Sequence, residues 1–204
     1  MMNDIRIRCL QSVGDRKIQE LADVLIDCVE GGASVSFMLP LPRAKAEAFW
    51  REVSASTARG ERLVFVAEDA SGAVVGTVTV ILNLPENQPH RGDVAKMLVH
   101  RRARRRGVGA ALLAAAEHGA LNAGKTLLVL DTVAGGEAER LYARQGWQRC
   151  GTIPHYALWP DGRPCATTLF FKFISGRDAA GTSAPIIPFS SGSGSVGGSA
   201  TLSR

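Results

Sequence analysis

The chain lacks any apolar run approaching the roughly 18 residues that a bilayer-spanning helix needs. Its first residues, MMNDIRIRCLQSVGDRKI, hold no apolar core of signal-peptide type. Neither a membrane span nor secretion is expected, and the expected location is cytoplasmic. Cysteine is scarce: Cys9, Cys28, Cys150 and Cys165 are scattered with no C-x-x-C pair, so they read as free thiols rather than a disulfide frame or a zinc site. His90, His100, His118 and His155 show no metal-ligand spacing, and no metal is expected. Aromatic residues are only 6% of the chain, too few to suggest a base-stacking platform for nucleic acid.

What is present suits a globular domain. Hydrophobic residues are 46% and charged residues 21% of 204, which fits one ordinary domain with a little chain to spare. A chain of this length can bury roughly 70% of its unfolded surface, so a core needs no covalent or metal support. The net charge is +5. Arg101, Arg102, Arg104, Arg105 and Arg106 fall within six residues, which leaves 19 basic residues to balance 19 acidic ones. The excess charge therefore belongs to one short segment, and a small anion rather than a nucleic acid is the expected partner there.

Hydrophobic periodicity divides the chain into alternating types. Ile5, Ile7 and Cys9 alternate with Arg6 and Arg8 as in a half-wet strand. Ile18, Leu21, Ala22, Leu25 and Val29 recur at helical spacing until Gly31-Gly32 ends the pattern. A second helix follows Pro42, with Ala46, Phe49, Trp50 and Val53 on one stripe. Residues 63–67 and 73–82 read as a hairpin about Ser71-Gly72, and residues 93–99 as the next strand. A helix over about 108–123, a strand at 127–131, a helix over about 137–144, and strands at 147–151 and 167–173 complete the order β-α-α-β-β-β-α-β-α-β-β. From Ser175 onward glycine and serine dominate, and a flexible tail over 175–204 is expected.

The segment Arg104-Arg-Arg-Gly-Val-Gly-Ala110 lies between a strand and a helix. Glycine lets ligand atoms approach the backbone closely. The first amides of the following helix have no intrahelical partner and carry the positive end of its dipole, so phosphates suit that place. No Gly-Lys-Ser/Thr follows, and the third glycine of a dinucleotide fingerprint is missing, because Leu112 stands there. A merely solvated basic loop is the plainer alternative.

The strand, the loop and the helix together resemble the acetyl-CoA signature of the GNAT (GCN5-related) N-acetyltransferases, Arg/Gln-x-x-Gly-x-Gly/Ala, here Arg104-x-x-Gly107-x-Gly109. Ala138-x-x-Leu141-Tyr142-x-x-x-Gly146-Trp147 resembles that family's downstream element. Together the motifs are specific, and the likeness covers residues 5–174. More narrowly, Gly31 to Met38, Leu130-Asp-Thr132 and Pro160-Asp-Gly-Arg163 resemble the tabtoxin-resistance acetyltransferases.

The resemblance implies a GNAT domain over 3–174. Its fold is α/β (α+β): a mixed, mostly antiparallel twisted sheet, helices on both faces, and a splay between the two central strands. It implies acetyl-CoA as donor and no metal. The acceptor is a small-molecule amine, with an amino-acid-like or β-lactam toxin suggested by the narrower likeness, and the protein is a monomer or a homodimer. The cofactor site would comprise backbone of Met97, Leu98 and Val99, the loop Arg104, Arg105, Arg106, Gly107, Val108, Gly109 and Ala110, and Gly135. Gly135 stands where many relatives have an asparagine touching the pantetheine arm, so that contact must be lost or made by backbone, water or another side chain.

The chemistry needs a neutral amine, a donor for the tetrahedral oxyanion and a proton for the departing thiolate. Tyr142 is the candidate acid, protonated at neutral pH by its ordinary pKa of about 10; an amphipathic-helix tyrosine packed in the core is the alternative. Asp131, at the end of an apolar strand, and Asp93 are candidate bases. Either can instead be a cap or a surface residue, and proximity of the two would raise one pKa. By resemblance Ser34, Ser36, Phe37 and Met38 border the acceptor, and His155, Tyr156 and Trp159, in a late loop, could shape the same pocket. Trp50 and Trp147 read as core anchors. The rival functions are acetylation of a protein or peptide N-terminus, which asks for an open groove beside Ser34 to Met38, and a non-catalytic CoA-binding regulatory module.

Overall fold

A computed structural model describes residues 5–175, so the expected tail lies outside the described residues apart from its first position. The elements are β1 (Arg6–Leu10), α1 (Asp15–Glu30), α2 (Arg43–Ala58), β2 (Arg62–Glu68), β3 (Val74–Ile81), β4 (Arg91–Val99), α3 (Val108–Asn122), β5 (Leu127–Val133), α4 (Glu137–Arg144), β6 (Gln148–Leu158) and β7 (Pro164–Phe173), with one 3-10 turn at Arg101–Ala103. The strands form one seven-stranded sheet in the order β1-β2-β3-β4-β5-β7-β6. Every neighbouring pair is antiparallel except β4 with β5. The order of elements and the mixed sheet follow the sequence expectation.

Helices cover both faces, because the inner strands are apolar on both. On one face Leu21, Leu25 and Val29 of α1 and Ala46 and Trp50 of α2, all buried, pack over Val64, Val66 and Leu98. On the other, Leu112, Leu113 and Ala116 of α3 and Tyr142 of α4 pack over Phe65, Val78, Val80, Leu128 and Phe170. Each such fully buried large apolar side chain contributes about 1.5–3 kcal/mol by leaving water. Trp50 and Trp147 are core residues as expected, and Trp147 Nε1 donates to Glu117 at 2.7 Å.

Two elements run longer than periodicity suggests. β6 extends to Leu158 because it pairs with β7 along its length, from Gln148 opposite Phe171 to Leu158 opposite Pro164. His155 and Tyr156 are therefore strand residues rather than part of a late loop, and only Trp159 lies in the connecting turn. The register shifts between Ile153 and Ala157. Pro154 is tolerated at such a bulge, where no ladder donor is required. β5 continues to Val133, so Asp131 is interior to the strand, in register with Leu169 of β7.

The central junction decides the architecture. β4 and β5 pair only at Arg91–Leu127, Gly92–Leu128 and Asp93–Val129. Beyond Asp93, β4 pairs with β3 alone, and beyond Val129, β5 pairs with β7 alone. The expected splay is present. Gly92 sits in the paired stretch, where a Cβ would stand 3.0 Å from Leu128 Cδ2 and 3.1 Å from Val80 Cγ1. Gly92→Ala therefore overpacks the junction and should destabilise the protein by about 1–3 kcal/mol, measured by denaturant unfolding. A neutral or stabilising result would mean that Leu128 and Val80 yield without cost.

Candidate active site

The loop from β4 to α3 is held by its own arginines. Arg101 donates its backbone N–H to Asp27 Oδ2 at 2.8 Å and its Nε to Asp27 Oδ1. Asp27 is a buried residue of α1. Arg102 pairs with Asp69 at 3.3 Å. Arg104 turns back, with its Nε donating to the Val99 carbonyl at 3.1 Å, and Arg105 reaches Glu137 at 3.4 Å across an exposed gap. Arg101, Arg102, Arg104 and Arg105 thus have acceptors inside the protein. The Arg104 head braces the end of β4.

The backbone of the loop retains the expected character. Gly107 is the N-cap of α3 at φ +77°, a left-handed conformation that favours glycine, with open space where a Cβ would stand. No side chain caps this terminus, so the amides of Val108, Gly109 and Ala110 face outward at the positive end of a 15-residue helix. Gly109 serves differently from the expectation of close ligand approach. A Cβ there would lie 3.1 Å from Leu141 Cδ2, so its smallness lets α4 pack against the first turn of α3. The two sequence motifs meet at that contact.

Gly135 also departs from expectation. Its amide donates to Glu139 Oε2, and its carbonyl accepts from Arg140 Nη1 at 3.1 Å. Its backbone is engaged in closing the start of α4 and is not open to replace an asparagine's contact.

Alternation along the strands sorts the remaining candidates by face. Arg62, Ile81 and Asp93 stand in one cross-strand row, and Asp93 is opposite Val129. Val64 and Val66, two and four residues after Arg62, pack under α1 and α2; Leu128 and Leu130 pack on the α3 side. Arg62, Asp93, Val129 and Asp131 therefore share the α1/α2 face. Asp131 is exposed. Asp93 is half-buried, its carboxylate 2.9 Å from Arg91 Nη1. Burial pushes the Asp93 carboxyl above the usual carboxylate range; Arg91 opposes this and the charge on Asp131 adds to it. The two carboxylates thus lie on one face, and the negative charge of Asp131 makes Asp93 harder to ionise.

Tyr142 reaches the same region from the α3/α4 face. It is 4% exposed, packed against Trp147 and Phe170 with ring centroids 5.9 and 6.0 Å away. Burial, with the negative field of Asp131, pushes its phenol well above the ordinary tyrosine range. Tyr142 is thus a core residue whose phenol stays protonated near the charge of Asp131.

The α1–α2 connection, residues 31–42, lies over the α1/α2 face near Lys96. Ser34 Oγ donates to the Leu158 carbonyl at 2.6 Å, and the Leu39 amide donates to the Pro160 carbonyl at 3.0 Å. The connection is thereby tied to the β6–β7 turn, which carries Trp159. Phe37 is buried edge-on to Phe49 at 5.3 Å, and Met38 is 40% exposed. Ser36, at φ +74°, accepts a hydrogen bond from Lys96 Nζ at 3.2 Å.

Lys96 was not among the residues expected from sequence. It occupies β4 at φ +51°, where the register with β3 shifts, and its ammonium lies 5.5 Å from the Phe49 ring centroid and 6.0 Å from that of Phe37. Burial draws its pKa down, the nearby Arg62 charge adds to this, and Asp131 opposes it. The available signal was a lone charge inside the apolar run Val94-Ala-Lys-Met-Leu-Val99, the same kind that drew attention to Asp131.

Among known proteins, residues 60–149 match the family described as the acetyltransferase (GNAT) domain. That span includes the hairpin, β4, the arginine–glycine loop, α3, β5 and α4. Solved structures share the fold at low identity. YncA from Salmonella typhimurium, solved with its cofactor acetyl-CoA, is 19% identical over 90% of this chain and all of its own, with a TM-score of 0.69. A protein assigned as a phosphinothricin N-acetyltransferase is 18% identical over 84% of this chain and 99% of its own, TM-score 0.68. The ribosomal-protein-alanine N-acetyltransferase of Brucella melitensis is 24% identical over 82% of this chain and 99% of its own, TM-score 0.67. The stretch that matches the GNAT acetyltransferase domain is thus the one built around the splayed β4–β5 junction and the uncapped, glycine-led α3, and the chain shares the fold of these solved acetyltransferases.

Proposed function

We propose that this acyltransferase uses acetyl-CoA to acetylate the amine of a small molecule by direct attack in a ternary complex. The observation that carries the reading is the open edge of β4 beyond Asp93, which runs toward the outward amides of α3. An extended amide-bearing arm can pair with such an edge as an added strand, and the α3 terminus suits a pyrophosphate. The residues fit that donor: Gly107 leaves its side of the terminus open, and backbone of Met97, Leu98 and Val99 lies along the edge. Arg105 and Arg106 flank the terminus in sequence. Gly135 and the Arg104 side chain have other duties in this arrangement.

The chain's own groups supply the rest. The donor contributes a thioester whose carbonyl accepts the nucleophile. Asp131, exposed on the acceptor face, and Asp93 beside it hold the amine and take its proton. The new C–N bond forms as the C–S bond breaks, a β4 amide stabilises the oxyanion, and Tyr142 gives its phenolic proton to the leaving thiolate. Ties from Ser34 and Leu39 to the β6–β7 turn close the acceptor side, which favours a small acceptor over the open groove a protein N-terminus needs. A structural likeness to the protein assigned as a phosphinothricin acetyltransferase agrees with an amino-acid-like or toxin acceptor.

Calorimetry with coenzyme A, followed by thiol release from acetyl-CoA across an amine panel, tests this reading. Binding and amine-dependent release are expected. Absent binding would end the donor assignment; binding with no release for any amine would favour a regulatory module. Tyr142→Phe should lower kcat by roughly 10²- to 10⁴-fold with donor affinity little changed. A large loss of donor affinity would instead make Tyr142 a packing residue. Because the phenol is displaced upward from its ordinary pKa of about 10, its proton persists at alkaline pH. At saturating acceptor the kcat profile should therefore rise as the amine neutralises and show no fall up to about pH 10. A falling limb below that pH, abolished by Tyr142→Phe, would contradict the role.

A further inference from the structure

The acceptor face holds more positive charge than a simple amine acceptor calls for. Arg62 and Lys96 lie on that face, both half-buried, and each raises the cost of charging the other. Arg62 Nε is buried without a hydrogen-bond partner among the described residues. The Lys96 ammonium has a neutral hydroxyl, Ser36 Oγ, and two ring faces around it. Asp93, the closer acid in sequence, is already engaged by Arg91. Asp131 is the carboxylate that offsets Lys96, and it is exposed. Placing two cations together in a half-buried pocket is unfavourable unless an anion joins them.

Resting on the acetyltransferase reading above, we propose that Lys96 and Arg62 form an anion subsite for a carboxylate of the acceptor. The acceptor is then a zwitterion. Its amine lies toward Asp131 and Asp93 at the mouth of the β4–β5 splay, and its carboxylate lies beneath Ser36, between Lys96 and Arg62. Phe37 and Phe49 form the apolar wall beside the carboxylate, lowering the local dielectric and strengthening the pairing. A bare alkylamine would leave Lys96 and Arg62 with only the partial offset of Asp131 and Glu61, and an acceptor carrying only an anion would meet Asp131. The arrangement therefore selects molecules bearing both charges. The bulge at Lys96 makes this possible, because the shift of register relative to β3 carries the side chain over to the α1/α2 face.

The test uses matched acceptors: a panel of L-amino acids and ω-amino acids, each with its carboxamide. In the wild-type enzyme kcat/KM for the preferred acid should exceed that of its amide by about tenfold or more, the value of one or two charged hydrogen bonds. In Lys96→Met that ratio should fall toward unity through KM, and Lys96→Arg should retain most of it. A ratio unchanged in Lys96→Met, or near unity in the wild type, overturns the subsite. A second arm does not need turnover: calorimetry of N-acetyl amino acids against N-acetyl amino amides in the presence of coenzyme A. Tighter binding of the acids to the wild type, lost in Lys96→Met, supports the subsite. Equal affinity for acids and amides in the wild type overturns it. If no amine is acetylated, the catalytic reading fails and this arm still decides the subsite. Thermal unfolding of Lys96→Met separates lost recognition from lost packing on Phe37 and Phe49.

Discussion

The parting of two parallel strands organises this molecule. β4 and β5 share three residue pairs and then diverge. Backbone groups inside a protein must find partners, so a sheet opened in the middle leaves a row of donors and acceptors that something else has to satisfy. The remaining pairs are closed by antiparallel neighbours, and the two helical layers clamp the sheet above and below the gap. The gap is thus a fixed feature, held open by packing on both sides, and the uncapped terminus of α3 lies at the end of the same strand's loop.

Around that gap, charges are arranged so that most cancel within the protein. The loop arginines are largely bound to acids of α1, the β2–β3 turn and α4, which orders the backbone where amides matter more than side chains. On the α1/α2 face, where we propose that the acceptor binds, the cancellation is incomplete. Asp93 is matched by Arg91, whereas Lys96, Arg62 and Asp131 stand as a partly compensated group. Burial moves the titratable groups in directions that suit proton transfer: a carboxyl is made harder to ionise, an ammonium easier to neutralise and a phenol harder to ionise.

Much of this was legible in one dimension. The apolar stripe Ile18 to Val29 has the period of a helix and is buried as that period requires. The hairpin about Ser71-Gly72 is closed by Asp69, whose side chain accepts from Ser71 and Ala73, a local effect that neighbouring residues settle among themselves. β6 was under-read because Gly151 and Pro154 weaken strand propensity, and its length is set instead by pairing with β7. Gly109 and Gly135 illustrate the same limit within the motifs. Their spacing marked them, but only their neighbours, Leu141 in one case and Glu139 and Arg140 in the other, reveal what each glycine does.

By itself the sequence determined the succession of elements, the arginine–glycine turn leading into α3, and the tyrosine and carboxylates of the candidate site, because periodicity, turn chemistry and short motifs are carried by residues close together along the chain. The tertiary structure alone decided where β4 and β5 part, that Arg101, Arg102 and Arg105 are tied to internal acids, and that Lys96, Arg62, Asp93 and Asp131 share one face. Those outcomes depend on strand register, and a shift of one residue moves every side chain of a strand to the opposite face.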